Sequence, residues 1–285
     1  MVVRENNITN NVINNHTIKV LMYHQVVNDE RLCNTHWTYV STAQLRKHLI
    51  LLDHWGYTPI TFRDYLMYEK GEINLPKKPI ILTFDDGYAD VYQNAYPVIK
   101  EFGWNAVTFV LGDKGLRTNT WDIDLGIGSS PLMNESQIIE LNDAGFEIGS
   151  HSMSHARLSM IPVQTAWIEI IRSKEKLQAI LKSEVTSFSY PFGSVNDSVK
   201  EMVRRAGYKI ACGVFSGPPK FGEDRFDIRR ITISGNTSTL AYALKILTPF
   251  EYYEWIGSRT AKSLLATAHK YGFQRSEFKT NLTFK

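Results

Sequence analysis

The stretch "KKPIILTFDDGYAD", residues 77–90, carries the clearest signal for the fold class of this chain. An apolar run from Pro79 to Phe84 ends abruptly in Asp-Asp-Gly, and a short run bounded by turn residues in this way is typical of a fully buried strand. The next residues, "YADVYQNAYPVIKEFG" (88–103), have apolar residues at helical spacing and end in glycine, as helices commonly do. A buried strand that leads directly into a helix is the unit of a parallel α/β sheet.

Similar apolar runs recur along the chain with helical segments between them, so we expect parallel strands joined by right-handed crossovers. The polar residues Asp85, Asp86 and His151 and the "SYPFG" turn all follow the carboxyl ends of predicted strands, which meet at one mouth in a barrel. We therefore predict a distorted (β/α) barrel of about seven parallel strands, with irregularity or incomplete closure as options, rather than an open doubly wound sheet. The other runs are "IKVLMYH" (18–24), "GWNAVTFVLGD" (103–113), "GFEIGSH" (145–151), "TSFSYPFG" (186–193), "YKIACGVFSG" (208–217) and "RFDIRRITIS" (225–234).

Composition indicates a globular protein, and one domain is favoured because the sequence has no internal repeat and no low-complexity linker. The chain has 285 residues, of which 43% are hydrophobic and 21% are charged, and its net charge of +3 is too small to favour nucleic acid as a partner. We expect a flexible N-terminal segment (1–17), a barrel domain (18–237) and a C-terminal helical extension packed on the same domain (238–285). Residues 112–136 form a long Gly- and Ser-containing connection that we interpret as a lid or binding loop.

Neither a signal peptide nor an apolar run of about 18 residues is visible, so we predict a cytoplasmic protein without a transmembrane segment. Two cysteines provide no disulfide framework, which agrees with a reducing compartment. The segment from Gly257 to Lys285 has six Lys or Arg and one Glu. We interpret it as a solvated helical tail, with peripheral membrane contact as the alternative.

Two motifs suggest chemistry at the strand ends. Adjacent residues of an extended chain point in opposite directions, so Asp85 and Asp86 should have different tasks, although Asp-Asp-Gly is also common turn sequence. In "GSHSMSHARL" (149–158), His151 and His155 are four residues apart, which lets both imidazoles face one point, as a metal requires. Two histidines and one carboxylate leave coordination positions open, as in a catalytic metal site.

Together, "TFDDGY", "HSMSH" and "SYPFG" resemble, in their order, the signatures of the polysaccharide deacetylases of carbohydrate esterase family 4, over roughly residues 18–235. The resemblance implies that Asp86, His151 and His155 bind a divalent metal and that Asp85 is the general base. Zinc is the metal that the resemblance favours, with nickel, cobalt and iron as alternatives. The family fold is a distorted (β/α) barrel, which agrees with the strand pattern.

The resemblance also implies a mechanism, in which Asp85 deprotonates a metal-bound water that attacks the acetamide carbonyl. In "SYPFG", Tyr190 and Pro191 accompany Phe192, whose N–H we assign as a second donor to the oxyanion. A plain connection between a strand and a helix is the alternative interpretation of this turn.

The sequence departs from the family at Ser189, where many members have an arginine that orients the base. We hypothesise that Arg229 or Arg230 supplies the guanidinium from another strand. Neighbouring strand residues face opposite ways, so at most one of the two should point into the mouth. Surface arginines on an edge strand are the alternative.

The general acid is the second departure. Most relatives have a C-terminal histidine motif, whereas the only late histidine here is His269, in a segment that reads as a helix. The run "VLMYHQV" (20–26) is similar to the opening strand of the permuted poly-N-acetylglucosamine deacetylases, in which the acid histidine comes first. We therefore assign the acid to His24, against the alternatives of a buried core histidine and of an acid role for His269.

The resulting hypothesis is a metal-dependent hydrolase that removes acetyl groups from N-acetylated amino sugars of a glycan or glycan precursor. The alternatives are a C–N hydrolase acting on a small non-sugar amide and a catalytically silent carbohydrate-binding domain. Candidate sugar contacts, each equally explained by packing or solvation, are Tyr23, Trp121, Asp122, Asp124 and Tyr190.

Overall fold

A computed structural model describes residues 18–125, 128–214 and 221–249 of the chain. The predictions for residues 1–17, for His269 and for the basic tail therefore lie outside the described residues. Within the described part the strands are β1 (Lys19–Tyr23), β2 (Gln25–Val27), β3 (Tyr39–Ser41), β4 (Thr58–Ile60), β5 (Pro79–Phe84), β6 (Val107–Val110), β7 (Glu147–Ser150), β8 (Ser187–Ser189), β9 (Ile210–Cys212) and β10 (Ile231–Thr232).

The main sheet is parallel throughout, and its strand order is β10-β1-β5-β6-β7-β8-β9, with β4 paired to the first half of β5. Between β9 and β10 the chain stays close to the sheet, because Ile228 N–H donates to the Ala211 carbonyl at 2.9 Å. The sheet therefore curls into an open barrel. This confirms the prediction of a distorted barrel of about seven parallel strands.

A second, two-stranded sheet pairs β2 with β3, also in parallel. The sequence pattern did not predict this sheet. Its position matters for the site, because β2 begins immediately after His24, so the chain changes sheets at that residue. The Asn94 side-chain amide donates to the Val26 carbonyl at 2.6 Å and fixes β2 against the segment that follows β5.

Helices follow most of the strands, as the periodicity predicts. They begin with local caps: Thr61 forms a capping box with Asp64, and Asn134 forms one with Gln137. No helix in the described ranges is both long enough and apolar enough to span a membrane. The α-helices are α1 (Thr42–His54), α2 (Phe62–Glu69), α3 (Tyr96–Glu101), α4 (Glu135–Asp143), α5 (Val163–Leu181), α6 (Asp197–Arg205) and α7 (Thr239–Leu247).

Strand β5 separates two layers of core. Ile80, Leu82 and Phe84 belong to the large apolar cluster shared with the surrounding helices, whereas Ile81 belongs to a smaller cluster with residues of β6 and β9. Strand side chains alternate between faces, so Thr83 and Asp85 continue the face of Ile81. This alternation directs Asp85 toward the barrel interior.

Candidate metal centre and catalytic site

The two neighbouring aspartates diverge because the backbone turns between them. Asp86 and Gly87 have left-handed backbones, with φ values of 73° and 72°. A Cβ atom at Gly87 would lie 3.1 Å from a Val110 side-chain carbon, so a small residue suits this turn. Asp85 and Asp86 are both buried, with exposed fractions of 2% and 5%, and they face different partners.

Asp86 lies between the two histidines of the "HSMSH" motif. Its Oδ1 atom is 3.1 Å from Nε2 of His151 and 3.1 Å from Nε2 of His155. One ligand atom from each of the three residues lies within 4.8 Å of the other two, and all three residues are buried. The structure thus brings together the three predicted metal ligands.

A tight loop, rather than a helical turn, presents the two imidazoles. Both Ser152 and His155 have left-handed backbones, with φ values of 65° and 66°, and the His155 N–H donates to Ser152 Oγ at 3.1 Å. Nδ1 of His151 lies 2.8 Å from the Ser189 carbonyl. Since a carbonyl only accepts, Nδ1 carries a proton, and Nε2 is the ring nitrogen that is directed toward Asp86.

These donors fit a divalent cation. Burial opposes ionisation of Asp86, but the charge and hydrogen bonds of His155 and His151 hold the pKa of its carboxyl well below the usual range. The His155 Nδ1 atom is buried and has no hydrogen-bond partner among the described residues. One carboxylate and two imidazoles are donors that zinc and other first-row divalent metals accept.

Asp85 is held by Arg230 in a bidentate ion pair. The Nη1 and Nη2 atoms of Arg230 donate to Oδ1 and Oδ2 of Asp85, each at 2.7 Å. Arg230 also donates to Ser189 Oγ at 2.9 Å and to the Gly213 carbonyl at 2.8 Å. Its side chain is fully buried. A fixed guanidinium fork of this kind orients a carboxylate more strictly than a lysine would.

The electrostatic effect of this pair outweighs the effect of burial. Desolvation of the buried carboxyl favours its protonated form, yet the Arg230 charge and hydrogen bonds keep the pKa of Asp85 below its ordinary value. Of the two predicted arginines, only Arg230 contacts Asp85. Arg229 points elsewhere and pairs with Asp227 at 2.7 Å, so its candidacy as the base-orienting residue was wrong.

His24 lies at the same mouth. It is buried, and it lies close enough to both aspartates for a protonated imidazole to lower the pKa of Asp85 and of Asp86. Its Nδ1 atom has no hydrogen-bond partner in the described part of the chain. The exposed Trp37 lies edge-on to the His24 ring at a centroid distance of 4.8 Å. The hydrophobic periodicity of the sequence could not identify Trp37 as a neighbour of His24, because Trp37 lies in an irregular loop before β3.

The "SYPFG" turn is only partly as predicted. Pro191 is buried, and Phe192 has a left-handed backbone with φ 56°. The Phe192 ring lies 4.4 Å from the His155 ring and carries the Arg157 guanidinium on its face at 3.7 Å. The Tyr190 side chain is fully buried and donates to the Phe226 carbonyl at 2.8 Å. Its ring belongs to the core, so the predicted sugar contact by Tyr190 was wrong.

The described part of the predicted lid contacts one of the candidate metal ligands. Trp121, in a 3₁₀ helix from Thr120 to Leu125, stacks on the His155 ring at 4.4 Å. Asp122 is buried and accepts a hydrogen bond from Tyr88 at 2.9 Å, so it anchors the loop. The Asp124 side chain lies outside the described residues.

Tyr23, another candidate sugar contact, is fully buried. Its ring stacks on Phe84 at 5.3 Å, and its hydroxyl lies 3.2 Å from Nδ1 of His48. This residue therefore packs in the core, and the predicted sugar contact was wrong for Tyr23 as well.

Comparison with known proteins agrees with this site. Residues 72–211 match the polysaccharide deacetylase family, so the chain contains a polysaccharide deacetylase domain. YxkH of Bacillus subtilis, which is named as a polysaccharide deacetylase, is 26% identical over 229 residues, or 80% of this chain and 76% of that protein. The poly-β-1,6-N-acetyl-D-glucosamine N-deacetylase of Escherichia coli is 24% identical, and the match spans 80% of this chain but only 38% of that protein. A solved polysaccharide deacetylase of Bacillus cereus is 27% identical, with a TM-score of 0.64, over 80% of this chain and 68% of that one.

Proposed function

We propose that the protein is a metal-dependent hydrolase that removes acetyl groups from N-acetylated amino sugars, with poly-N-acetylglucosamine as the first substrate to test. The observation that carries the proposal is the pairing of two buried units at one mouth, the Asp86, His151 and His155 cluster and the Asp85–Arg230 ion pair. A binding module has no need of an oriented base beside a group of metal-ligating side chains. The names of the bacterial relatives support N-acetylglucosamine as the sugar.

The three ligands Asp86, His151 and His155 would hold the cation, with zinc proposed first. A divalent cation bound there would supply Lewis acidity, which acidifies water and polarises a carbonyl. The lid residue Trp121 covers the His155 ring and limits the access of solvent to this side of the cluster.

Asp85 accepts a proton from the attacking water on a carboxylate oxygen. Arg230 keeps that carboxyl ionised and holds it in one orientation. The Phe192 N–H, set by its left-handed backbone, is proposed as a donor to the acetyl oxygen.

His24 is proposed to donate a proton of its own, from the protonated imidazole, to the departing amine, while the proton taken from water stays on Asp85 until it is lost to solvent. Because Nδ1 is enclosed by protein, Nε2 is the ring nitrogen that can face the substrate. With this assignment, Asp85 takes the proton from water and His24 gives a proton to the leaving amine. The two residues follow the ends of different strands, β5 and β1.

Acetate release from β-1,6-linked N-acetylglucosamine oligomers tests the proposal, with a small non-sugar acetamide as the second substrate and Asp85→Asn as the control variant. We expect acetate from the oligomers and a loss of at least about 100-fold in Asp85→Asn. Hydrolysis of the small amide alone would favour the other C–N hydrolase. Oligomer binding without any acetate release would indicate a silent carbohydrate-binding domain.

A further inference from the structure

Glu169, on α5, contacts the loop between the two histidine ligands without touching the ligand cluster itself. Its Oε2 atom accepts hydrogen bonds from the backbone N–H groups of Met153 and Ser154, at 3.0 and 2.9 Å. Its Oε1 atom accepts from the Ser154 hydroxyl at 2.7 Å. One carboxylate thus takes three hydrogen bonds from two consecutive loop residues.

The opposite edge of the loop is bound to the end of β6. Gly112 N–H donates to the Ser152 carbonyl at 2.9 Å, and Asp113 N–H donates to the Met153 carbonyl at 3.1 Å. A Cβ atom at Gly112 would lie 2.6 Å from the Cα of Ser173, which is on α5. The loop is therefore enclosed between β6 and α5, and Glu169 provides the contact on the α5 side.

The loop needs such support because its backbone is strained. Ser152 and His155 both have left-handed backbones, which non-glycine residues adopt at a cost in free energy. His151 is less dependent on the loop, since it follows β7 directly and bonds to the Ser189 carbonyl. The His155 ring has no such bond at Nδ1 within the described ranges, so the loop backbone largely sets its position.

We propose that Glu169 is a positioning residue that holds the 152–155 loop in its metal-binding conformation and thereby sets the metal affinity of the site. The inference rests on the metal site of the proposed function but not on the identity of the substrate. Loss of the carboxylate removes the acceptor for two loop N–H groups and lets the backbone before His155 relax. Removal of an outer hydrogen-bond partner of this kind typically weakens metal binding by about 10- to 100-fold.

The test measures the zinc dissociation constant of the metal-stripped full chain by competition with a chelator at pH 7. The variants are Glu169→Ala and Glu169→Gln, and the matched control is Glu175→Ala, which removes the same charge from an exposed part of the same helix. We expect the dissociation constant to rise about 10- to 100-fold in Glu169→Ala and less in Glu169→Gln, which keeps one acceptor oxygen. The control should stay within about twofold of the wild type.

A second readout separates positioning from other roles. Excess zinc should restore the kcat of Glu169→Ala to within about threefold of the wild type, because the residue acts through metal affinity alone. The proposal is overturned if the zinc affinity of Glu169→Ala equals that of the control, or if the kcat of Glu169→Ala stays low at saturating zinc. If Glu169→Ala does not fold, an unchanged zinc affinity in Glu169→Gln overturns the proposal. Failure of the wild type to release acetate while it binds zinc would contradict the proposed function but not this inference.

Discussion

The substitution Arg230→Met should lower the free energy of unfolding by about 3–5 kcal/mol, the usual cost of removing one partner from a buried ion pair. Arg230 is fully buried and Asp85 is 2% exposed, so water cannot replace the lost guanidinium. The Asp85 carboxylate would keep one hydrogen bond, from Ser189 Oγ at 3.3 Å. Its other route is to take up a proton, because the largest opposition to the effect of burial on its pKa would be gone.

Removing both charges should recover much of this loss. In the double variant Asp85→Asn/Arg230→Met no unpaired charge is buried at this position, so we expect it to be more stable than Arg230→Met by about 2 kcal/mol or more. The neighbour Arg229 provides the control: its side chain is 24% exposed but its partner Asp227 is buried, so Arg229→Met should cost about 1–3 kcal/mol, less than Arg230→Met.

Urea unfolding at pH 7 with chelator present, followed by far-UV circular dichroism, measures these differences in the metal-free protein. Acetate release measures the same variants at saturating zinc, where Arg230→Met should be inactive and Arg229→Met active. A cost of less than about 1 kcal/mol for Arg230→Met would show that the ion pair does not carry the expected energy. The same conclusion would follow if Asp85→Asn/Arg230→Met were no more stable than Arg230→Met.

Individual side chains lead to three more expectations. His24→Ala should lower kcat on N-acetylglucosamine oligomers by about 100-fold or more while bound zinc, measured by elemental analysis, stays stoichiometric; substantial retained activity would contradict the acid role. Burial lowers the pKa of His48 to about 3, below its ordinary value, so this neutral imidazole stabilises the fold at pH 6.5 and above and progressively less as the pH falls. Between pH 6.5 and 4.5 the free energy of unfolding of His48→Gln should therefore fall by about 2 kcal/mol less than that of the wild type. Equal falls in the two proteins would contradict this. Gly112→Ala should cost about 1–3 kcal/mol in thermal unfolding through its clash with Ser173. Gly128→Ala should be nearly neutral, because its added Cβ would have no atom of the described residues within 4 Å.

The sequence predicted the parts of the site that follow strand periodicity. Asp86 and His151 follow the carboxyl ends of parallel strands, and the topology alone brings such residues to one mouth. It could not choose between Arg229 and Arg230, because the choice depends on which face of a two-residue strand points inward.

Tyr23 and Tyr190 were misjudged for a related reason. A tyrosine beside a catalytic motif has the same sequence signal whether its ring faces the mouth or the core, and here both rings are buried. Glu169 was missed because its contact with the 152–155 loop depends on how α5 packs across the ends of β6 and β7. Short-range periodicity of the sequence does not encode this packing.

Zinc reconstitution is the decisive experiment for a metal-dependent deacetylase. The protein is stripped of metal with chelator, and acetate release from N-acetylglucosamine oligomers is followed as zinc is added back. We expect no turnover in the stripped protein, full recovery near one equivalent of zinc, and no recovery in His151→Ala at the same zinc concentration. Undiminished acetate release from the stripped wild-type protein would show that the Asp86, His151 and His155 cluster is not a catalytic metal site.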